Sequence, residues 1–210
     1  MKKGLFITFE GIDFSGKSVQ ARYLFERLQR DGQSVILIRD PGTTRISEQV
    51  RAILLNREHI EMSPWTELLL YEAARAQMVH ETIQPALAKK QIVICDRFYD
   101  STTAYQGYGR ELDLCLVKKA NQIGSLGFVP DMTFILNLQP EVAARRKRNA
   151  RVQEDRLEAE NTRFHHRVAE GYRQIALAEP NRIIVIDGDR GIDVVHTEIV
   201  KVVNARLAMR

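Results

Sequence analysis

The chain opens on a short apolar run, Leu5 to Phe9, followed at once by glycines, the pattern of a buried strand that empties into a loop. From Lys17, the residues Val19, Tyr23, Leu24 and Leu28 recur at helical spacing until Asp31-Gly32 breaks the pattern. Ser34 to Ile38 is a second apolar run, closed by the turn residues Arg39-Asp40-Pro41-Gly42. Ile46, Val50, Ile53 and Leu54 mark a short helix. Ser63-Pro64 opens a longer one, with Ser63 as N-cap and Pro64 at the first helical position, and Pro85 is expected to kink or restart it. Ile92–Cys95, Thr133–Leu138 and Ile183–Ile186 read as three more strands. Strands apolar on both faces and alternating with helices predict the α/β class: a parallel sheet of about five strands with helices on both faces.

A length of 210 residues suits one domain carrying a small mobile insertion, and 44% hydrophobic with 28% charged residues is enough for a full core. The first apolar run is too short for a signal segment, and no later run is long enough to span a membrane. Cys95 and Cys115 form neither a disulfide framework nor a metal spacing, so a reducing cytoplasm is the expected compartment. A net charge of +4 suits a protein that handles anions, nucleotides as well as nucleic acid. The five histidines make no metal constellation and are assigned no role.

The chemistry starts at Gly11-Ile12-Asp13-Phe14-Ser15-Gly16-Lys17-Ser18, a full match to G-x-x-x-x-G-K-[ST] between a strand and a helix. The glycines let backbone N–H groups turn inward around phosphate oxygens, and the helix start adds its positive end. Lys17 supplies a point charge for the β- and γ-phosphates of ATP, and the Ser18 hydroxyl a ligand for Mg²⁺. A guanine-reading Asn-Lys-x-Asp is missing where a GTPase would carry it; Asn137-Leu138-Gln139-Pro140 stands there instead.

A second cluster begins after the third strand. Asp96 is placed to hold Mg²⁺, directly or through water, and Arg97 to grip a phosphate with two N–H bonds. Ser101, Thr102, Tyr105 and Gln106 follow, groups able to read a base edge or a sugar. Tyr71 and Arg75, four residues apart, share one helix face that can stack on a base and reach its carbonyl.

Together these motifs resemble the thymidylate kinase family, bacterial type, of the nucleoside monophosphate kinase group. The family pattern F-E-G-x-D-x-x-G-K-[ST], E-P-G-G-T, F-x-A-x-R-x-Q, and D-R with S-x-x-A-Y-Q-G is similar to Phe9–Ser18, Asp40–Thr44, Tyr71–Gln77, and Asp96-Arg97 with Ser101–Gly107. The resemblance implies transfer of the γ-phosphate of Mg·ATP to dTMP, for dTTP synthesis, in a homodimer without nucleic-acid or membrane partners. By the same resemblance Asp13 lies between the phosphates and helps hold the acceptor or its Mg²⁺, and Arg97, with Arg51, grips the acceptor phosphate. Tyr71 stacks on thymine where the family has Phe, Arg75 and Thr102 bond the base, and Tyr105 crowds the sugar 2′ position. Asp40 in place of Glu and Thr43 in place of Gly are further departures.

Phe14 stands where one family type carries a catalytic Arg in the phosphate loop. The Arg-rich run Arg145–Glu158 matches the family's mobile lid, here about residues 143–160, and Arg148 and Arg151 are the candidates to bring that charge. No aromatic interrupts Phe134 to Phe164, which argues against reading the run as a nucleic-acid patch. Two other readings stand beside the kinase of a monophosphate: a deoxynucleoside kinase using Asp40 as base, and a phosphate-loop ATPase without a small acceptor.

Overall fold

The computed structural model describes residues 4–150 and 154–209. Five strands, β1 (Leu5–Glu10), β2 (Val35–Arg39), β3 (Ile92–Asp96), β4 (Met132–Asn137) and β5 (Ile183–Asp187), form one all-parallel sheet in the order β2-β3-β1-β4-β5. All five are the strands predicted from the sequence, with ends moved by a residue or so. β1 sits in the middle and is buried along its whole length. Its side chains alternate between two cores, as a period-two strand requires. Leu5, Ile7 and Phe9 pack under α1 (Lys17–Arg30) and α9 (Ile192–Ala208), with Leu24, Leu28, Val195, Ile199 and Val203. Phe6 faces the other side, with Val93, Met78 and Ile83.

That second face is not wholly apolar. Thr8 and Thr133 share a hydrogen bond of 2.7 Å at its centre, and Glu10 is fully buried at the strand end. Strand direction brings every carboxyl end to one edge of the sheet, where chains that leave β1 and β3 in opposite directions open a crevice.

The remaining helices are α2 (Arg45–Leu55), α3 (Pro64–Met78), α4 (Gln84–Ala88), α5 (Tyr99–Thr102), α6 (Leu114–Gly124), α7 (Pro140–Ala150) and α8 (Thr162–Ala178). Ser63 caps α3 as expected, accepting from the Thr66 N–H at 3.1 Å. Pro85 does not break the rod. A π-helical turn, Val79–Ile83, joins α3 to α4, and the Gln84 N–H reaches back five residues to Val79. The wider turn comes just before a residue that has no N–H to give and whose ring needs room. A second π-helical segment, Thr103–Gly109, carries Tyr105 and Gln106 inward.

Candidate active site

Gly11 and Gly16 are glycines for different reasons. A Cβ on Gly11 would lie 2.6 Å from the Leu136 carbonyl, and both residues have left-handed backbones, φ 134° and 94°. Between them the chain wraps one end of a cleft of about 710 Å³, a size that suits nucleotides. Ile12 is buried core at this turn, whereas Asp13, Phe14, Ser15, Gly16, Lys17 and Ser18 all line the cleft. The Ser15 hydroxyl is buried there without a hydrogen-bond partner among the described residues. Lys17 Nζ is 3.4 Å from the Ile12 carbonyl and 3.7 Å from Asp13. Burial, with Arg97 close by, lowers its pKa, while Asp13 works to keep its charge.

Arg97 faces this loop from the end of β3. Its Nη1 donates to the Gly11 carbonyl (2.9 Å), Ser101 Oγ (3.1 Å) and Tyr172 OH (3.1 Å), and its Nη2 to Asp13 and to Tyr105 OH (3.2 Å). Tyr105 donates to the other Asp13 oxygen at 2.8 Å. Burial works to raise the Asp13 pKa, but Arg97, Lys17 and the Tyr105 proton overcome it and hold the carboxyl well below the usual range. Arg51 also borders the cleft, tied to the Pro41 carbonyl at 3.0 Å.

Another part of the cleft wall is built on α3. Tyr71 lines it, buried, with its phenol pKa pushed up by loss of water. Arg75 is fully buried and held on three sides, by Asp40 (2.6 Å), Glu72 (2.5 Å) and Thr102 Oγ1 (2.7 Å). Burial raises the pKa of Asp40 and of Glu72, against the pull of the guanidinium. Among the described residues Asp40 Oδ1 and Glu72 Oε2 find no hydrogen-bond partner. Gln106 borders the cleft, but its amide donates to the buried Glu67 at 2.8 Å, which makes it a brace for the wall.

Asp96 lines the cleft opposite the loop, and its Oδ1 is buried without a partner among the described residues. With the exposed Ser18 hydroxyl on the same cleft, this set fits Mg²⁺. That ion takes one or two protein oxygens and draws the rest from phosphates and water. Among the described residues no group of three or more His, Cys, Asp or Glu side chains is placed to hold a metal by itself.

The Arg-rich run is divided by helical phase. Arg148 is exposed on α7 and does not line the cleft; Arg151 lies outside the described residues. Arg146 does line it, donating to the Phe14 carbonyl (3.2 Å), the Gly188 carbonyl (2.9 Å) and Asp189 (3.2 Å). Its reach to Gly188, after β5, depends on a crossover that local pattern does not reveal. From Glu154 onward the chain is pinned to its surroundings. Arg156 bonds Glu67 at 2.6 Å and the Leu54 carbonyl at 2.9 Å, and Asp155 and Glu158 border the cleft.

Comparison with known proteins agrees with this geometry. The model of the family described as thymidylate kinase matches residues 9–199. A thymidylate kinase of Caldanaerobacter subterraneus subsp. tengcongensis is 46% identical over 98% of this chain and 97% of its own length. One from Geotalea uraniireducens is 44% identical, covering 98% and 99%. The crystal structure of thymidylate kinase from Ehrlichia chaffeensis superposes with a TM-score of 0.78 at 36% identity, over 96% of this chain and 98% of that one. Among the described residues no helix is long and apolar enough to cross a membrane. With its phosphate loop, its opposed arginine and this similarity along nearly its whole length, the chain belongs to the thymidylate kinase family.

Proposed function

We propose that the cleft transfers the γ-phosphoryl group of ATP to dTMP, giving dTDP and ADP, with one anion on each side of Asp13. One observation carries this reading. The same carboxylate is paired with Lys17 of the phosphate loop at 3.7 Å and with Arg97 across the cleft. Two cations spaced by one carboxylate hold two phosphates apart and in line, which a site built only to hydrolyse ATP does not need.

The acceptor phosphate has a second pKa near ~6, so at neutral pH it attacks as it stands and no general base is required. The chain's task is to position and to neutralise. Lys17 and the loop N–H groups hold the donor phosphates, while Arg97, with Arg51, holds the acceptor phosphate. Mg²⁺ on Ser18 and Asp96 would offset charge on the β- and γ-oxygens. Tyr71, Arg75 and Thr102 form the thymine end, and Tyr105 stands beside the sugar. Residues 143–160 act as a lid that excludes water when closed, with Arg148 and Arg151 as the groups it would bring to the transferring phosphate. Arg146 marks the donor-nucleotide side, where it already meets the loop.

The deoxynucleoside kinase alternative asks Asp40 to be a free base. Its tie to Arg75 at 2.6 Å occupies that carboxylate and favours the monophosphate reading. For assembly we favour a homodimer through α2, α3 and α6. α3 packs against both of the others, and Ile46, Ile53, Leu69 and Ile123 on these helices stay exposed by 43%, 44%, 62% and 73%. Leu68, in contrast, is core. Two free cysteines suit the cytoplasm.

The deciding assay is ADP release from Mg·ATP with dTMP, thymidine, dUMP, dCMP, dAMP or dGMP as acceptor. dTMP should lead by a wide margin. Thymidine in that place would make Asp40 a base, and no acceptor above the blank rate would end the small-molecule reading.

A further inference from the structure

Arg97 is held in an unusual way. It has a left-handed backbone, φ 69°, a conformation that favours glycine, and its N–H donates to the Phe9 carbonyl at 2.9 Å. Something must hold the turn and the guanidinium against that strain. The group in place to do so is Glu10, at the end of the neighbouring strand β1, fully buried behind Arg97. Glu10 Oε1 accepts the N–H groups of Phe98 (2.7 Å) and Ser101 (3.3 Å), which closes the turn. Glu10 Oε2 accepts from Ser101 Oγ at 2.6 Å and Tyr172 OH at 2.9 Å. The same two hydroxyls are the partners of Arg97 Nη1, each at 3.1 Å, and lie 2.9 Å from one another.

Proton direction follows from this list. A hydroxyl has one proton to give, and an ionised carboxylate can only accept. Glu10 therefore draws the hydroxyl protons to its own side, directly or through the bond between the two hydroxyls. Their lone pairs are left for Arg97, which can only donate. We propose that Glu10 is the positioning residue of the acceptor-phosphate clamp, fixing the proton direction of Ser101 and Tyr172 so that their lone pairs aim the Arg97 guanidinium. The proposal rests on reading Arg97 as the ligand of that phosphate. Glu10 itself does not line the cleft.

Glu10→Gln tests it at nearly constant shape. The amide oxygen can still accept from Phe98 and Ser101, but the amide nitrogen now donates to the hydroxyls and turns their protons toward Arg97. Steady-state kinetics of the full chain at pH 8 should show KM for dTMP raised about tenfold, with KM for ATP within about twofold. Arg97→Ala should raise KM for dTMP by itself, and adding Glu10→Gln to it should cost nothing more, since the group being aimed is gone. Tyr172→Phe, which removes one hydroxyl and keeps the ring, should move KM for dTMP in the same direction and covers the case of a poorly folding Gln variant.

Equal costs of Glu10→Gln in the native and Arg97→Ala backgrounds, or equal shifts in both KM values, would reduce Glu10 to a structural carboxylate. An unchanged KM for dTMP in Arg97→Ala would remove the clamp itself, and the positioning role with it. A raised value there, beside an unchanged one in Glu10→Gln and Tyr172→Phe, would keep the clamp and reject the positioning.

Discussion

Tyr105 gives its phenol proton to Asp13 at 2.8 Å while its ring lies 5.1 Å from the Arg97 guanidinium carbon, so one side chain joins the phosphate loop to the acceptor clamp. Tyr105→Phe keeps the ring and the cation–π contact but leaves Asp13 one donor short. Loss of a hydrogen bond to a charged group costs about 1.5–3 kcal/mol. A fall in kcat/KM for dTMP of roughly ten- to a hundredfold is expected, with the thermal midpoint lowered by several degrees because the same bond is made in the unliganded fold. Kinetics and a melting curve on the same preparation check both halves.

Arg75 shows the opposite balance, a group whose loss should be felt first in the fold. It is fully buried between Asp40 and Glu72, so its removal strands two carboxylates that already resist ionisation. Breaking such a pair costs about 3–5 kcal/mol. Arg75→Ala should lower the urea midpoint sharply, and Asp40→Asn in the same chain should recover part of the loss, because one stranded charge is then neutral. An Arg75→Ala variant as stable as the native chain would show that both carboxyls are already protonated.

The pH dependence of stability should carry the mark of Glu10. Burial, then the nearby Asp100, push its pKa from 4.5 up to about 7, against Arg97, Ser101 and the Phe98 N–H, with Tyr172 also in contact. A raised folded-state value means that the fold prefers the proton. The contribution is complete below about pH 4.5 and is lost as pH rises through 7, some ~3 kcal/mol in all. Asp13 has the other sign, since its lowered value makes a contribution lost only in strong acid. Glu10→Gln does not titrate, so its stability relative to the native chain should improve between pH 5 and pH 8. Urea titrations at both values give the difference directly, and a constant gap would mean that Glu10 does not titrate in that window. At pH 8 the Gln variant should then lie nearer the native chain in stability than at pH 5, while remaining the poorer binder of dTMP.

Much of this was legible along the chain because it is local. The five strands are short apolar runs between turn residues, and the phosphate loop is contiguous, with its glycines set by φ and by the approach of Leu136. Asp13, Arg97 and Tyr105 were found by motif, and the structure brings them within hydrogen-bond reach. What stayed hidden depends on distance in sequence. Tyr172 is 162 residues from the carboxylate it serves, and nothing around it sets it apart from a core tyrosine. Glu10 lies inside the motif yet reads as a mere interruption of an apolar strand. Gln106 lines the cleft as its motif suggests, but its bond to Glu67, 39 residues away, does not show in the local sequence.

Arg146 and Arg148 are two residues apart and point to different fates. Arg146 touches the phosphate loop and Gly188, whereas Arg148 is exposed on α7. Arg146→Ala should therefore raise KM for ATP several-fold while KM for dTMP stays put, since its contacts lie on the donor side. On the proposed reading Arg148 acts when the lid closes over both substrates, so Arg148→Ala should lower kcat and leave both KM values near native. An arginine that acts on the transferring phosphate is worth up to several orders of magnitude in rate, so a fall in kcat of less than about threefold would take that role from Arg148. Arg151→Ala, measured beside it, would then be expected to show the large fall, and native turnover in both single variants would leave the charge at the transferring phosphate to Arg97 and Lys17.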